Sequence, residues 1–218
     1  MDFFNLPSRT KVGRVVPKNA FDEYTNTKQK KQFMNDIQRI TWTHKLSAKT
    51  INLDANDIKE LQVFKVELKK QSDILKILDI INKSIPYHII FWVEFNELAY
   101  ISTAAKHPHP VNEDISVIDW TFTSDWFKTI NVPFQFNLKN SLDSVFKDIC
   151  VQLIGKPHLS KKSMDSILNH LQEITHLEKE IARLESMISS SKQFNKKVEL
   201  NLELKQKQKK LDLILSFN

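Results

Sequence analysis

The chain has 218 residues, 41% of them hydrophobic, with 14 Phe, 4 Trp and a formal net charge of +6. That composition belongs to a folded protein with a sizeable core and excludes a disordered chain. Only 2 glycines and 1 cysteine are present, which argues against glycine-rich phosphate loops, internal disulfides and cysteine-based zinc sites.

The charge is unevenly placed. Residues 1–50 carry ten Lys/Arg against four Asp/Glu, a balance of +6. Residues 51–160 balance to −3 and residues 161–218 to +3. Basic ends around a neutral-to-acidic middle suit contact with a polyanion, and suit a lysine-rich solvated surface equally well.

In chain order, residues 1–27 read as an extended, loop-like segment punctuated by Pro7, Gly13 and Pro17. They lack the apolar core of a signal peptide, and no apolar run approaches the ~20 residues of a membrane span, so a cytoplasmic protein with no membrane contact is expected. Thr27 is placed as the cap of a helix from Lys28 to about Lys45, with Phe33, Ile37, Ile40 and Trp42 on one face. Thr50–Leu53 and Leu61–Leu68 are strand candidates, and Ser72 is placed as the cap of a helix through Asn82. The apolar run Tyr87–Phe95 predicts the central strand, and Asn96-Glu97 turns it into a hairpin with Leu98–Ala105. A further strand is expected over Ile115–Phe122, and a helix from Ser141 to Ile154, stopped by Gly155-Lys-Pro157. Cys150, inside that apolar helix, reads as a buried, inert thiol.

The last sixty residues predict two long amphipathic helices folded into a hairpin. Ile174, Leu177, Ile181, Leu184 and Ile188 keep one stripe; beyond Ser189-Ser190-Ser191 a second set runs Phe194, Val198, Leu202, with Leu200, Leu204, Leu211 and Ile214 beside it. Lys207 falls where that stripe expects an apolar residue, a substitution that can set register or oligomeric state. A stripe of this kind buries itself against its return arm, the rest of the protein or another chain. The expected fold is α+β: a mixed, largely antiparallel sheet with flanking helices over residues 1–157, followed by a helical hairpin (coiled coil) over 158–218.

Several phrases, taken together, resemble one family. They are Leu6-Pro7 with Pro17-Lys18 and Phe21, Ile40-Thr-Trp42 with Lys45-Leu46, Thr50-Ile-Asn-Leu53, Ile85-Pro-Tyr-His88, and Lys192-Gln-Phe-Asn-Lys-Lys-Val-Glu-Leu-Asn201. The chain is similar, over nearly its whole length, to the bacterial domain-of-unknown-function family numbered 4391. The resemblance implies a mixed domain followed by a coiled-coil tail. It also implies a setting beside helicases and DNA methyltransferases of restriction-like or phage-defence systems. It implies no catalytic residues.

Three functions are consistent with these residues. The first is a non-enzymatic accessory subunit of a DNA-processing complex. It would bind a larger partner, such as a helicase or DNA methyltransferase, through Ile174, Leu177, Ile181, Leu184, Ile188, Val198, Leu204 and Leu211. Arg9, Lys11, Arg14, Lys18, Lys28, Lys30 and Lys31 would neutralise phosphates, with Trp42 and Phe3-Phe4 as stacking candidates. The second is a Mg²⁺-dependent, restriction-like nuclease, in which Glu67-Leu-Lys69 closes a strand and Asp54 or Asp57 supplies the second carboxylate. One strand of the hairpin such a site needs is missing from this reading. The third is a structural homodimer with no nucleic-acid role. His107-Pro-His109 with Glu113 and Asp114 reads as a polar surface loop and not as a metal centre, so no cofactor is expected outside the nuclease alternative.

Overall fold

The computed structural model describes residues 4–112 and 114–216. The chain divides into two compact units, residues 1–157 and 158–218. The first is built on a seven-stranded mixed sheet in the order β1-β2-β3-β4-β5-β6, with β7 pairing beside β5. The strands are β1 Lys11–Val16, β2 Ile37–Ser47, β3 Glu60–Leu68, β4 His88–Phe95, β5 Leu98–Pro108, β6 Ser116–Thr123 and β7 Phe127–Lys128. All neighbours are antiparallel except β3 and β4, which run parallel. A parallel pair needs a crossover, and helix α3, Leu75–Ser84, supplies it.

The basic N-terminal segment is more ordered than its prolines suggest. Ser8–Thr10 and Lys18–Tyr24 are 3-10 turns on either side of β1. Asn26, rather than Thr27, caps helix α1, Thr27–Asp36, in a capping box with Gln29. The helix then stops nine residues earlier than expected, because Ile37–Ser47 is a strand held between β1 and β3. Phe33, Ile37 and Ile40 carry a helical spacing, but Ile37, Ile40, Thr41, Trp42 and Thr43 are strand formers, and ladders on both sides outweigh local periodicity. Conversely, the strand expected at Thr50–Leu53 is a short helix, α2, Ala48–Ile51, closed by Asn52 in the left-handed region at φ 57°.

Alternation along the strands sets two faces. Phe64, Val66 and Leu68 on β3, with Ile89, Phe91 and Val93 on β4, pack in one cluster with Phe33 of α1 and Ile77, Leu78 and Ile81 of α3. On the opposite face His88 lies edge-on to Phe146 of helix α4, Leu142–Ile154, with ring centroids 4.6 Å apart. Ser141 caps α4, and Gly155 ends it in the left-handed conformation at φ 72°. Asp143, in its first turn, accepts from the backbone N–H groups of Asn56, Asp57 and Ile58 at 3.0–3.1 Å, tying α4 to the loop that feeds β3.

The second unit is a helical hairpin of α5, Met164–Ser190, and α6, Phe194–Ser216. Ser163 caps α5. At about 1.5 Å per residue, the two arms are roughly 40 and 35 Å long. No helix among the described residues is long and apolar enough to cross a membrane.

Candidate functional site

The nuclease constellation does not assemble. Asp54 pairs with Ser141, and Asp57 is held by Asp143, both beside the start of α4 and ahead of β3. Glu67 lies at the far end of β3; the seven steps from Glu60 to Glu67 alone span about 23 Å. The Glu67-x-Lys69 pair is itself divided. Lys69 donates its Nζ to Met34 O at 2.8 Å, serving the C-terminus of α1 on the sheet face that holds Phe64 and Val66. Glu67 projects to the other face, where Arg39 donates to it from Nε at 2.6 Å and from its terminal nitrogen at 3.2 Å. The antiparallel β1–β2 pair does supply the strand that reading lacked, though a turn of 3-10 helix and α1 separate the two strands in the chain, and the acid adjacent to Glu67 is Glu94, its register partner on β4. Lys65 Nζ lies 3.4 Å from Glu67 and 3.2 Å from Glu94, and Trp92 donates to Glu94 at 2.8 Å. Two cations thus face two carboxylates. Burial raises the Glu67 pKa, but Arg39 and Lys65 outweigh it and hold the carboxyl below its usual range. This is a satisfied, partly buried ion-pair network on one sheet face. Its sequence signal is the alternation of Lys65 and Glu67 with buried Val66 and Leu68.

No group of three or more His, Cys, Asp or Glu converges among the described residues as a metal site. His107 Nδ1 pairs with Asp119 at 2.9 Å, and His109 Nδ1 accepts from Val111 N at 3.2 Å. Glu113 lies outside the described residues. The stacking candidates belong to cores: Trp42 donates to His44 O at 2.9 Å, and Phe4 packs edge-on against Trp92 and Phe136 at 5.4 and 4.7 Å. Phe3 lies outside the described residues.

The basic residues divide by surroundings. Arg9, Lys11, Arg14, Lys28 and Lys31 are exposed, and among the described residues none has an acidic partner. Lys30 pairs with Asp22 at 3.4 Å. Lys18 is half-buried, and burial and then Lys69 lower its pKa. Lys11 and Arg14 occupy β1, the sheet's edge strand. A register shift between them, with Gly13 at φ 68°, places Lys11 opposite His44 and Arg14 opposite Trp42. His44 shares its face with Val63 and Trp42 with Phe64, so the two cations leave the edge on opposite faces. They make a charged ribbon along an open edge and also discourage strand addition there.

In the hairpin the stripe is largely its own partner. On α5 Ile174, Leu177, Ile181, Leu184 and Ile188 step by three and four. On α6 Leu200, Leu204, Lys207, Leu211 and Ile214 do the same. Leu177 and Leu184 are almost fully buried, Leu200 is buried and the others are half-buried, as a two-helix seam leaves them. Of the eight residues expected to meet a partner, Ile174, Leu177, Ile181, Leu184, Ile188, Leu204 and Leu211 therefore close the hairpin. Only Val198 lies on the outside, with Phe194 and Leu202; these three are 44%, 78% and 59% exposed. A 4-4 spacing half a turn away from the seam was the signal in the sequence that separates this second face from the first.

One buried cation had no sequence signal beyond a lysine ending an apolar strand. Lys106, 6% exposed, donates from Nζ to Asn82 O and Ile85 O, both at 2.6 Å, at the C-terminus of α3. Burial lowers its pKa to about 7. Neighbouring His88 is lowered to about 4, by burial and then by Lys106.

No curated protein and no solved structure matches the chain. One family profile, described as Domain of unknown function (DUF4391), matches residues 4–211. With all but a few terminal residues inside that match, the chain belongs to the DUF4391 family.

Proposed function

We propose that this chain is a non-catalytic accessory subunit of a DNA-processing complex, of the restriction-modification or phage-defence kind. It docks on a larger subunit, such as a helicase or methyltransferase, through its helical hairpin and contacts nucleic acid through its first unit. The observation that carries this reading is the outer face of α6. The hairpin closes its own seam and still exposes Phe194, Val198 and Leu202 in one line. Apolar side chains aligned along an exposed helix are the usual anchor of a helix-in-groove or helix-on-helix contact. The exposed cations Arg9, Lys11, Arg14, Lys28 and Lys31 support the nucleic-acid part, because phosphate contact needs charge at the surface and no base-specific geometry.

The test is co-purification of the intact protein from its native host at defined stoichiometry, followed by reconstitution with the recovered subunit. A fixed-ratio complex with a DNA helicase or methyltransferase is the expected result. Recovery of the chain alone, as a monomer or a homodimer, overturns the reading.

A further inference from the structure

A cavity of about 290 Å³ opens in the first unit where the approach to α3 meets the end of β6. Asp73 and Leu75 line it on the α3 side, Thr123, Ser124 and Trp126 on the β6 side, and Tyr100 lines it from β5. At the lower end of ligand-pocket volumes, it has room for a small molecule. Its walls are held from outside. Ser124 Oγ accepts from Ile101 N at 3.0 Å and donates to Asp125 O at 2.8 Å. Asp73 Oδ1 accepts from Leu75 N at 2.9 Å, and Gln32 donates from Nε2 to Asp73 O at 3.0 Å. Trp126 meets Tyr100 edge-on, with ring centroids 4.7 Å apart.

Two acceptors are left over in this arrangement. Tyr100 is 4% exposed and packs in the core cluster, yet among the described residues nothing hydrogen-bonds its hydroxyl. A buried phenol ordinarily finds a partner. Burial and then the charge of Asp73 raise its pKa, so the hydroxyl stays neutral and lies within electrostatic reach of that carboxylate. Asp73 Oδ2 also has no protein partner among the described residues.

The sign of the lining selects the ligand. Of the described residues around the cavity only Asp73 is charged. Lys70 and Lys76 are near in sequence, but neither lines it, and Lys70 pairs with Asp36 at 3.0 Å. A phosphate or carboxylate would therefore meet a carboxylate and no cation. A wholly apolar ligand would strip water from Asp73 and Tyr100 without replacing its hydrogen bonds. A nitrogen cation on a short apolar stem satisfies both groups, and the aromatic pair attracts it further.

We propose that this cavity binds a small organic cation, an ammonium or guanidinium group on a short apolar stem. Its N–H groups donate to the Asp73 carboxylate and the Tyr100 hydroxyl, and its stem lies against Leu75 and Trp126. The site is independent of the accessory-subunit reading and stands or falls without it.

The experiment uses the full chain. The indole N–H resonance of Trp126, assigned with Trp126→Phe, is followed while n-butylammonium or agmatine is added at constant ionic strength. n-Butanol and butyrate serve as controls of matched stem. A saturable shift with one or both cations, and none with the controls, is expected. Asp73→Asn, in which asparagine still caps α3, is expected to weaken binding by about tenfold through loss of a charge-assisted bond. Tyr100→Phe is expected to weaken it by about threefold. The same variant should melt at or above the wild-type temperature, because the hydroxyl it removes holds nothing among the described residues. A Tyr100→Phe chain that melts well below the wild type overturns the proposal, since the hydroxyl would then serve the fold. Absence of a saturable shift with either cation at millimolar concentration overturns it too. So does an equal shift with n-butanol or butyrate, or an affinity that neither variant changes.

Discussion

Lys207 on α6 donates its Nζ to Glu180 on α5 at 2.7 Å, from a position where the seam otherwise holds Leu200, Leu204, Leu211 and Ile214. Its neighbour Lys210 reaches Glu173 at 2.8 Å one turn further on. Hydrogen bonding from Lys207 and Lys210 holds both carboxyls below their usual range. Both pairs are satisfied only when the arms are in this register, since a shift of one turn leaves Lys207 in the seam without Glu180. A charged residue at such a position stabilises less than leucine would and specifies more.

Lys207→Leu should therefore raise the melting temperature of the hairpin, with about 1 kcal/mol from the additional apolar burial. It should also relax the specificity of the two-helix state. Sedimentation velocity should show higher oligomers where the wild-type chain shows a single species. Leu184→Ala, deleting a fully buried seam residue, should cost about 2–5 kcal/mol. Thermal unfolding followed by circular dichroism checks both.

At the ends of α4 and at the β4–β5 turn local chemistry decides, and there the sequence reading and the fold agree. Ser72, expected to cap α3, instead gives way to Asp73, whose Oδ1 accepts from Leu75 N at 2.9 Å. Ser141 and Gly155 bound α4 as their side-chain chemistry dictates, and Asn96, at φ 53°, turns the β4–β5 hairpin. The run from Ile89 to Val93 is apolar because it is buried on both faces. Where neighbours decide, the two part company. Ile37, Ile40 and Trp42 satisfy a helical period and a strand equally, and only the ladders from β1 and β3 choose between them. Glu67 and Lys69 share a strand's alternation up to Leu68, and α1 then draws Lys69 to the opposite face. The seam and the outer stripe of α6 overlap in sequence, so a list of its apolar residues mixes inner Leu204 with outer Val198 until α5 is in place.

Asp143 makes a second prediction. Its carboxylate accepts from three consecutive backbone amides of residues 56–58. Burial raises its pKa, but those bonds outweigh it and leave the group below its usual range. Asp143→Ala should destabilise the first unit by about 1–3 kcal/mol, with Asp143→Asn intermediate. Because the folded-state pKa is depressed, this contribution is complete above the unfolded value and lost as pH falls through the folded one. Urea titrations near neutrality and under acid conditions should show the wild-type advantage shrinking toward the acid end.

The Lys106–His88 pair gives the pH dependence of the core. Both bases have folded-state pKa values below their unfolded ones, about 7 against 10.5 for Lys106 and about 4 against 6.5 for His88. Between the two values the unfolded chain binds the extra proton, so stability rises with pH in each window. Acidification from about pH 6.5 to 4 should weaken the wild-type first unit, and His88→Phe should flatten that limb. Lys106→Met leaves the carbonyls of Asn82 and Ile85 unmet, costing about 1–3 kcal/mol. Its penalty should be largest near pH 9–10 and smaller below pH 7, where the wild type buries an ammonium. Denaturation midpoints across this range check the sign.

Duplex DNA binding by the intact chain should weaken steeply with salt, since contact through surface lysines and arginines releases counterions in proportion to the phosphates neutralised. Arg9, Lys11, Arg14, Lys28 and Lys31 have no acidic partner among the described residues, whereas Lys30 pairs with Asp22 and Lys18 is half-buried. The slope of log affinity against log salt should therefore flatten by about 0.9 for each of the five that meets a phosphate when it is changed to alanine. It should change less for Lys30 and Lys18. Lys11 and Arg14 project from opposite faces of the β1 edge, so a duplex lying along one face would register only one of them. Equal losses from Lys11→Ala and Arg14→Ala would mean that the strand edge itself lies against the phosphates. Fluorescence anisotropy over a salt series makes the comparison, and a flat response in the wild type would remove the nucleic-acid role.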